Sequence, residues 1–213
     1  LTLIQNSAKQ PTVLEDAFVA VGTVIVALEA DFEKYLDAFL PFLVEGLRNH
    51  EEHQLCTISV GIVGDVCRSL AERATKYSET LVLALFEDLQ SPVLHRNVKP
   101  HILSCFGDIA MAIGPAFESY LPTAMAVLQQ ASMVQNAPDT ADYEMVEYVN
   151  DLREGIAEAY VGIVSGFRMA GKADVLLPYM DYTLAFVGLV ASDSIDRSET
   201  LLRSTIGLVG DLA

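Results

Sequence analysis

GIVGDVCRSL at 61–70 and CFGDIAMAIG at 105–114 are two statements of one phrase, an apolar helical run built around a glycine. The phrase returns as AVGTVIVAL at 20–28, YVGIVSGF at 160–167 and GLVGDLA at 207–213. Its glycines, Gly22, Gly64, Gly107, Gly162 and Gly210, are 42, 43, 55 and 48 residues apart. A period of about 40–47 residues belongs to stacked helix pairs of the HEAT or armadillo kind. A second phrase alternates with the first: DFEKYLDAFLPFLVEGL at 31–47, TKYSETLVLALFEDL at 75–89, AFESYLPTAMAVLQQA at 116–131 and ADVLLPYMDYTLAFVGL at 173–189. Two helix types in alternation predict an all-α superhelix, a HEAT-repeat solenoid of four to five helix pairs, and a solenoid offers extended binding surfaces.

Apolar residues recur at intervals of three and four, and no stretch alternates with period two. The spacing predicts helices near 1–7, 12–30, 32–48, 51–72, 75–90, 93–113, 117–135, 141–168, 174–191 and 196–213. They group into one array over 1–213, with partial repeats at 1–30 and 172–213 and whole ones at 31–72, 74–114 and 115–170. In each pair the first, or A, helix is expected to open on an aromatic anchor: Tyr35, Tyr77, Tyr120 or Tyr179. The second, or B, helix carries the glycine, where a missing Cβ lets a neighbour approach. Glycine inside a helix costs about 0.5–1 kcal/mol relative to alanine, so five of them imply a packing reason. Pro41, Pro122 and Pro178 are expected to bend the A helices. NAPDTADYE at 136–144 interrupts the period as an insertion.

The 213 residues carry 29 acids against 13 bases, a net charge of −16. That balance excludes a nucleic-acid partner, whose phosphates need Lys and Arg, and favours a basic protein segment. No membrane span is expected. Cys56, Cys67 and Cys105 are an odd set without CxxC spacing, inside apolar runs, as befits buried thiols in a reducing compartment. The chain starts without Met or a leader and GLVGDLA stops inside a helical pattern, so it reads as a piece of a longer protein.

Glu144, Glu147, Asp151, Glu154 and Glu158 are spaced 3, 4, 3 and 4 within one helix. At 100° per residue they fall within an arc of about 80°, with Met145, Val149, Leu152, Ile156 and Tyr160 on the opposite side. The row is either a solvated face or a docking ladder for Lys/Arg-rich segments. A solvated helix mixes signs, and only Arg153 lies near, off the line. Four like-charge neighbours cost on the order of 1–2 kcal/mol in the isolated chain, a strain that a basic partner relieves. Asp65 and Asp108, like Asp211, follow the repeated glycine and either extend this lining or pair locally with Arg68.

His53/Cys56 and His101/Cys105 share helix faces, but a zinc site needs about four convergent ligands. No nucleophile motif or phosphate-binding loop accompanies the acids, so neither a cofactor nor enzymatic activity is expected.

With these motifs placed, the chain resembles the importin β family, the karyopherin-β nuclear import receptors. The resemblance rests on EDAFVAVGTV (15–24), DFEKYLDAFLPFLVEGL (31–47), VGIVGDVCRSL (60–70), VLHRNVKPHILSCFGDIAMAIG (93–114), LQQAS (128–132) and DYEMVEYVNDLREGIAEAYVGIV (142–164). It covers essentially the whole chain and implies an internal stretch from the C-terminal half of that superhelix. It implies that the inner B-helix surface wraps the basic importin-β-binding segment of importin α, where the row 144–158 would fall. It implies Ran-GTP binding that releases cargo, mainly through repeats outside this chain. On the outer surface it implies nucleoporin Phe-Gly binding, with Leu40, Pro41 and Val44 facing Thr80 and Leu81 in one groove, and Val82, Leu83 and Phe86 facing Thr123 and Ala124 in the next. The implied setting is the cytoplasm and nucleus, at the nuclear pore complex and nuclear envelope. The competing reading is a HEAT scaffold subunit of an enzyme complex, which has no need of an unpaired acidic stripe.

Overall fold

The computed structural model describes residues 2, 4, 10–135, 143–192 and 198–212. Nine α-helices form among them: α1 (Pro11–Leu28), α2 (Glu33–Leu47), α3 (His53–Leu70), α4 (Thr75–Gln90), α5 (Val98–Ile113), α6 (Leu121–Ser132), α7 (Tyr143–Met169), α8 (Met180–Ser192) and α9 (Glu199–Leu212). No strand occurs among the described residues. Of the helix expected near 1–7 only residues 2 and 4 are described, both helical, and most of the 136–144 insertion lies outside the described residues.

The odd-numbered helices are the B type and pack side by side in one layer. The even-numbered A helices form a second layer, each paired with the B helix that follows it and touching its own neighbours only sparsely. Glycine and small residues let B helices lie close, whereas the bulkier A helices splay, and this two-layer array is an α-solenoid. One apolar core runs from Phe18 and Ile25 through Val63, Phe106 and Tyr160 to Leu201 and Leu208.

Each A helix is entered through a short 3-10 turn, at 29–32, 71–74, 114–119 and 173–179. Three of these corners open on a positive φ: Glu29 (48°), Ala71 (48°) and Gly114 (53°). Each stands seven residues after a repeated glycine, so the corner belongs to the repeat. The anchoring side chain lies in these turns, one helical turn ahead of the expected tyrosines. Phe32, Ala74, Phe117 and Leu176 are buried there. Tyr77 is buried as expected, but Tyr35 is half exposed and Tyr120 and Tyr179 are only partly covered.

Only Pro41 sits inside an A helix. Pro122 is in the first turn of α6, where a missing N–H costs nothing, and Pro178 is inside the 3-10 turn before α8. α5 begins at Val98 rather than at 93, because Ser91–Asn97 is spent on the turn out of α4. Two stretches, Val98–Ser119 and Ala173–Ser192, are long and apolar enough to cross a membrane by composition. Each is divided between an α-helix and a 3-10 turn, and half of the first is buried inside the array.

All three cysteines are free and buried. Burial pushes the thiols of Cys56 and Cys67 up to about 12 and that of Cys105 well above its ordinary value, so none is a ready thiolate.

Candidate functional site on the B-helix layer

The longest helix, α7, spans 27 residues and supplies the acidic row. Val149, Leu152, Ile156 and Tyr160 are buried on its inner side. Glu144, Glu147, Asp151 and Glu158 are exposed on the other, and Glu154 is half-buried. The amphipathic period alone produces this division.

The five carboxylates are not equivalent. Glu144 accepts a hydrogen bond from Arg96 Nη2 at 3.2 Å, and that guanidinium also lies over the Tyr148 ring. Glu158 accepts from Ser104 Oγ at 2.6 Å, and Glu154 from Ser198 Oγ. Among the described residues neither Glu147 nor Asp151 has an ion-pair partner. Arg153 is itself buried. Burial, then the neighbouring Glu147 and Glu154 carboxylates, push the Asp151 carboxyl up, with His101 pulling the other way. The row stands over a polar hollow of about 390 Å³ between α5 and α7, walled by Asn97, Pro100, His101 and Ser104 opposite Asp151, Glu154, Gly155 and Glu158. The hollow concentrates negative potential and offers hydroxyl and carbonyl oxygens as well, an arrangement suited to ammonium or guanidinium groups.

Asp65 and Asp108 are a correction. Arg68 holds both, with Nη2 on Asp65 Oδ1 at 2.7 Å and Nη1 on Asp108 Oδ2 at 2.5 Å. Arg168 likewise reaches Asp211 at 2.9 Å. Asp108 and Asp211 thus tie one B helix to the next, Asp65 pairs within α3, and all three are ion-paired.

The outer surface needs a second correction. Leu81, Val82 and Ala124 are core residues with at most 1% of their surface exposed, and Phe86 is also buried. Leu81, Val82 and Ala124 therefore line no open groove among the described residues, whereas Phe86 shows only an edge. Leu40 and Val44 are half-buried, while Pro41, Thr80, Leu83 and Thr123 are exposed. The hollow beside Pro41 and Val44 is completed by Arg48, His50 and Val93, not by Thr80 and Leu81. Phe86 and Thr123 do share one apolar cleft between α4 and α6. It runs toward the C-terminal ends of those helices, past Leu89, Val127, Ala131 and Val134, with Leu103, Tyr148 and Leu152 beneath. Tyr148 and Leu152 were missed because they belong to the B helix under the gap. Their three- and four-residue spacing reads only as core.

The two-layer array of helix pairs defines an α-solenoid of the HEAT-repeat class. The chain belongs to the importin subunit beta-1 family. The profile described as importin subunit beta-1-like, TPR repeats, matches residues 1–213, although the 42–55-residue steps here exceed the 34 of a tetratricopeptide repeat. Importin subunit beta-1 of Schizosaccharomyces pombe is 46% identical over 213 residues, all of this chain and 24% of that protein. That of Arabidopsis thaliana is 42% identical over 205 residues, 96% of this chain and 23% of its own. The chain thus spans about a quarter of the length of these relatives. Importin β crystallised from polyethylene glycol superposes with a TM-score of 0.90 at 44% identity, over 94% of this chain and 24% of that one. A complex of Kap95 with Nup1 gives 0.84 at 30% identity, covering 98% and 26%. Kap95p, whose binding induces the switch loops of RanGDP to adopt the GTP-bound conformation, gives 0.86 at 32% identity, covering 97% and 24%.

Proposed function

We propose that this chain is the cargo-gripping stretch of a nuclear transport receptor working between cytoplasm and nucleus. Its B-helix face takes a basic segment of the importin-α type, with Glu147 and Asp151 as the leading contacts and Glu154 and Glu158 as supports. The observation that carries this reading is the α7 carboxylate row over the α5/α7 hollow, with Glu147 and Asp151 in no ion pair among the described residues. Holding these acids together costs free energy in the isolated chain, and a basic partner recovers it.

The apolar cleft between α4 and α6 is the site proposed for nucleoporin Phe-Gly motifs, in line with the Kap95 relative that binds Nup1. Burying one phenylalanine there contributes about 1.5–3 kcal/mol, which suits weak and multivalent contact. Release of cargo by Ran-GTP at the pore is assigned to the whole receptor, as the Ran complex of Kap95p suggests.

The test is charge reversal. Glu147→Lys, Asp151→Lys and Glu154→Lys together should weaken a Lys/Arg-rich segment by more than about tenfold and flatten the salt dependence of its binding. Unchanged affinity at low salt would leave the row as a merely solvated face.

A further inference from the structure

The joint between α1 and α3 differs from the other joints of the B layer. One and four residues after the repeated glycine, α3 carries Asp65 and Arg68, and Asp65, Arg68 and Asp108 close the α3/α5 joint with ion pairs. The same two positions in α1 are Thr23 and Val26. In place of an ion pair between the two helices, the α1/α3 joint holds among the described residues an open, largely apolar groove of about 560 Å³, lined by Val19, Thr23 and Val26 on one side and Ile58, Gly61 and Ile62 on the other, with the Arg68-held Asp65 at its edge. Its walls come from two neighbouring helices of the array. Val19 and Val26 are 54% and 58% exposed, far more than a core valine. The Thr23 hydroxyl is satisfied within its own helix by Val19 O at 3.1 Å, so it asks nothing of a ligand. Gly61 has open space where a Cβ would stand, which keeps the groove deep.

This groove and the acidic hollow lie on the same layer, two helix steps apart. We infer that the B face binds a single helical segment that is apolar at one end and basic at the other. Its aliphatic side chains fill the α1/α3 groove while its Lys/Arg end lies on the α7 carboxylates. Adjacent packed helices are about 8–10 Å apart, so the two sites are separated by about 16–20 Å. At 1.5 Å per residue that is about 12 residues of helix between the apolar and the basic cluster. Charge complementarity sets the order: the α3/α5 joint between the two sites has its aspartates held by Arg68, while α7 presents Glu147 and Asp151 with no ion pair among the described residues. The inference rests on the proposed role of those carboxylates and adds the second half of the ligand.

The experiment uses the full chain and three helical peptides: leucines and arginines about 12 residues apart, the same peptide with Ser for Leu, and one with the clusters 4 residues apart. The 12-residue peptide should bind about tenfold more tightly than the other two. Val19→Gln with Val26→Gln, exposed and charge-neutral changes, should abolish that advantage and leave the Ser peptide unaffected. Equal binding of the first two peptides, or an advantage that survives the glutamines, overturns the inference while the basic-segment reading stands. Failure of all three peptides to respond to the α7 charge reversal sinks the basic-segment reading itself. If the glutamines instead dissolve a self-associated form in sedimentation without peptide, the groove is a contact between copies and the inference is overturned.

Discussion

Gly162 of α7 lies directly against the backbone of Gly107 in α5: a Cβ built on Gly162 would stand 2.5 Å from Gly107 Cα. The reciprocal Cβ on Gly107 would be 2.7 Å from the Glu158 carbonyl oxygen. Gly155 and Gly166 of α7 approach Pro100 and Ala110 of α5 in the same way. This joint is backbone on backbone, and it fixes the height at which the carboxylate row stands over α5.

Gly162→Ala should therefore destabilise the fold by about 1–3 kcal/mol, the cost of overpacking where backbone cannot yield. Gly210 belongs to the same repeated phrase but has open space at its Cβ. Gly210→Ala should stabilise α9 by about 0.5–1 kcal/mol through helix propensity alone. Urea midpoints of the two variants would separate the roles, and a shift of the same sign in both would refute the assignment.

Ala71 occupies φ 48°, ψ −131°, a region that suits glycine, and Gly114 takes up nearly the same angles at the next corner. Ala71→Gly should raise stability by about 1 kcal/mol by relieving strain at an exposed site. Gly114→Ala should lower it by a similar or larger amount. A thermal melt of each is sufficient, and no gain from Ala71→Gly would mean that the corner is unstrained.

Much of this was legible in the sequence, and the misses have a common cause. The glycine period gave the helix pairs, and the 3-4-3-4 spacing of Glu144–Glu158 put the carboxylates on one face, because both are properties of a single helix. What failed depended on the distance between helices. Arg68 lies three residues from Asp65 in sequence, yet nothing local reveals that its other nitrogen reaches Asp108. Leu81, Val82 and Ala124 carry the same apolar pattern whether they wall an open groove or fill a closed one. The repeated glycine likewise serves two ends: backbone contact at Gly107 and Gly162, and room for the Asp108 carboxylate at Gly64.

Asp151 links the site to pH. Burial and the Glu147 and Glu154 charges raise its pKa above the ordinary value of 3.8. The folded chain then holds this proton more tightly than the unfolded chain, whose aspartate titrates near 3.9. Its contribution to stability falls as pH rises from that value through the folded pKa. Binding of a basic segment moves oppositely, because only the ionised carboxyl attracts a cation. Affinity should decline on acidification from a higher pH than an unperturbed carboxylate would give. Glu147→Gln with Glu154→Gln should shift the Asp151 titration downward, as read by carbon-13 carboxyl shifts, and an unmoved titration would show that the three charges do not communicate.

The outer cleft makes a prediction that separates two places for Phe-Gly capture. Val127 is half-buried on the α6 wall, where an aspartate would set a charge against the apolar Phe86, Leu89 and Tyr148 of a cleft that Lys99 also borders. A buried phenylalanine ring gains about 1.5–3 kcal/mol from an apolar wall, so spoiling one wall should cost at least about fivefold in affinity for a Phe-Gly peptide. Leu40 lies outside this cleft, and Leu40→Asp should leave capture there intact. Both variants should keep the basic-segment affinity and the helical circular dichroism of the parent chain. If Leu40→Asp weakens capture and Val127→Asp does not, the motif docks beside α2, and the gap between α4 and α6 is only a seam between repeats.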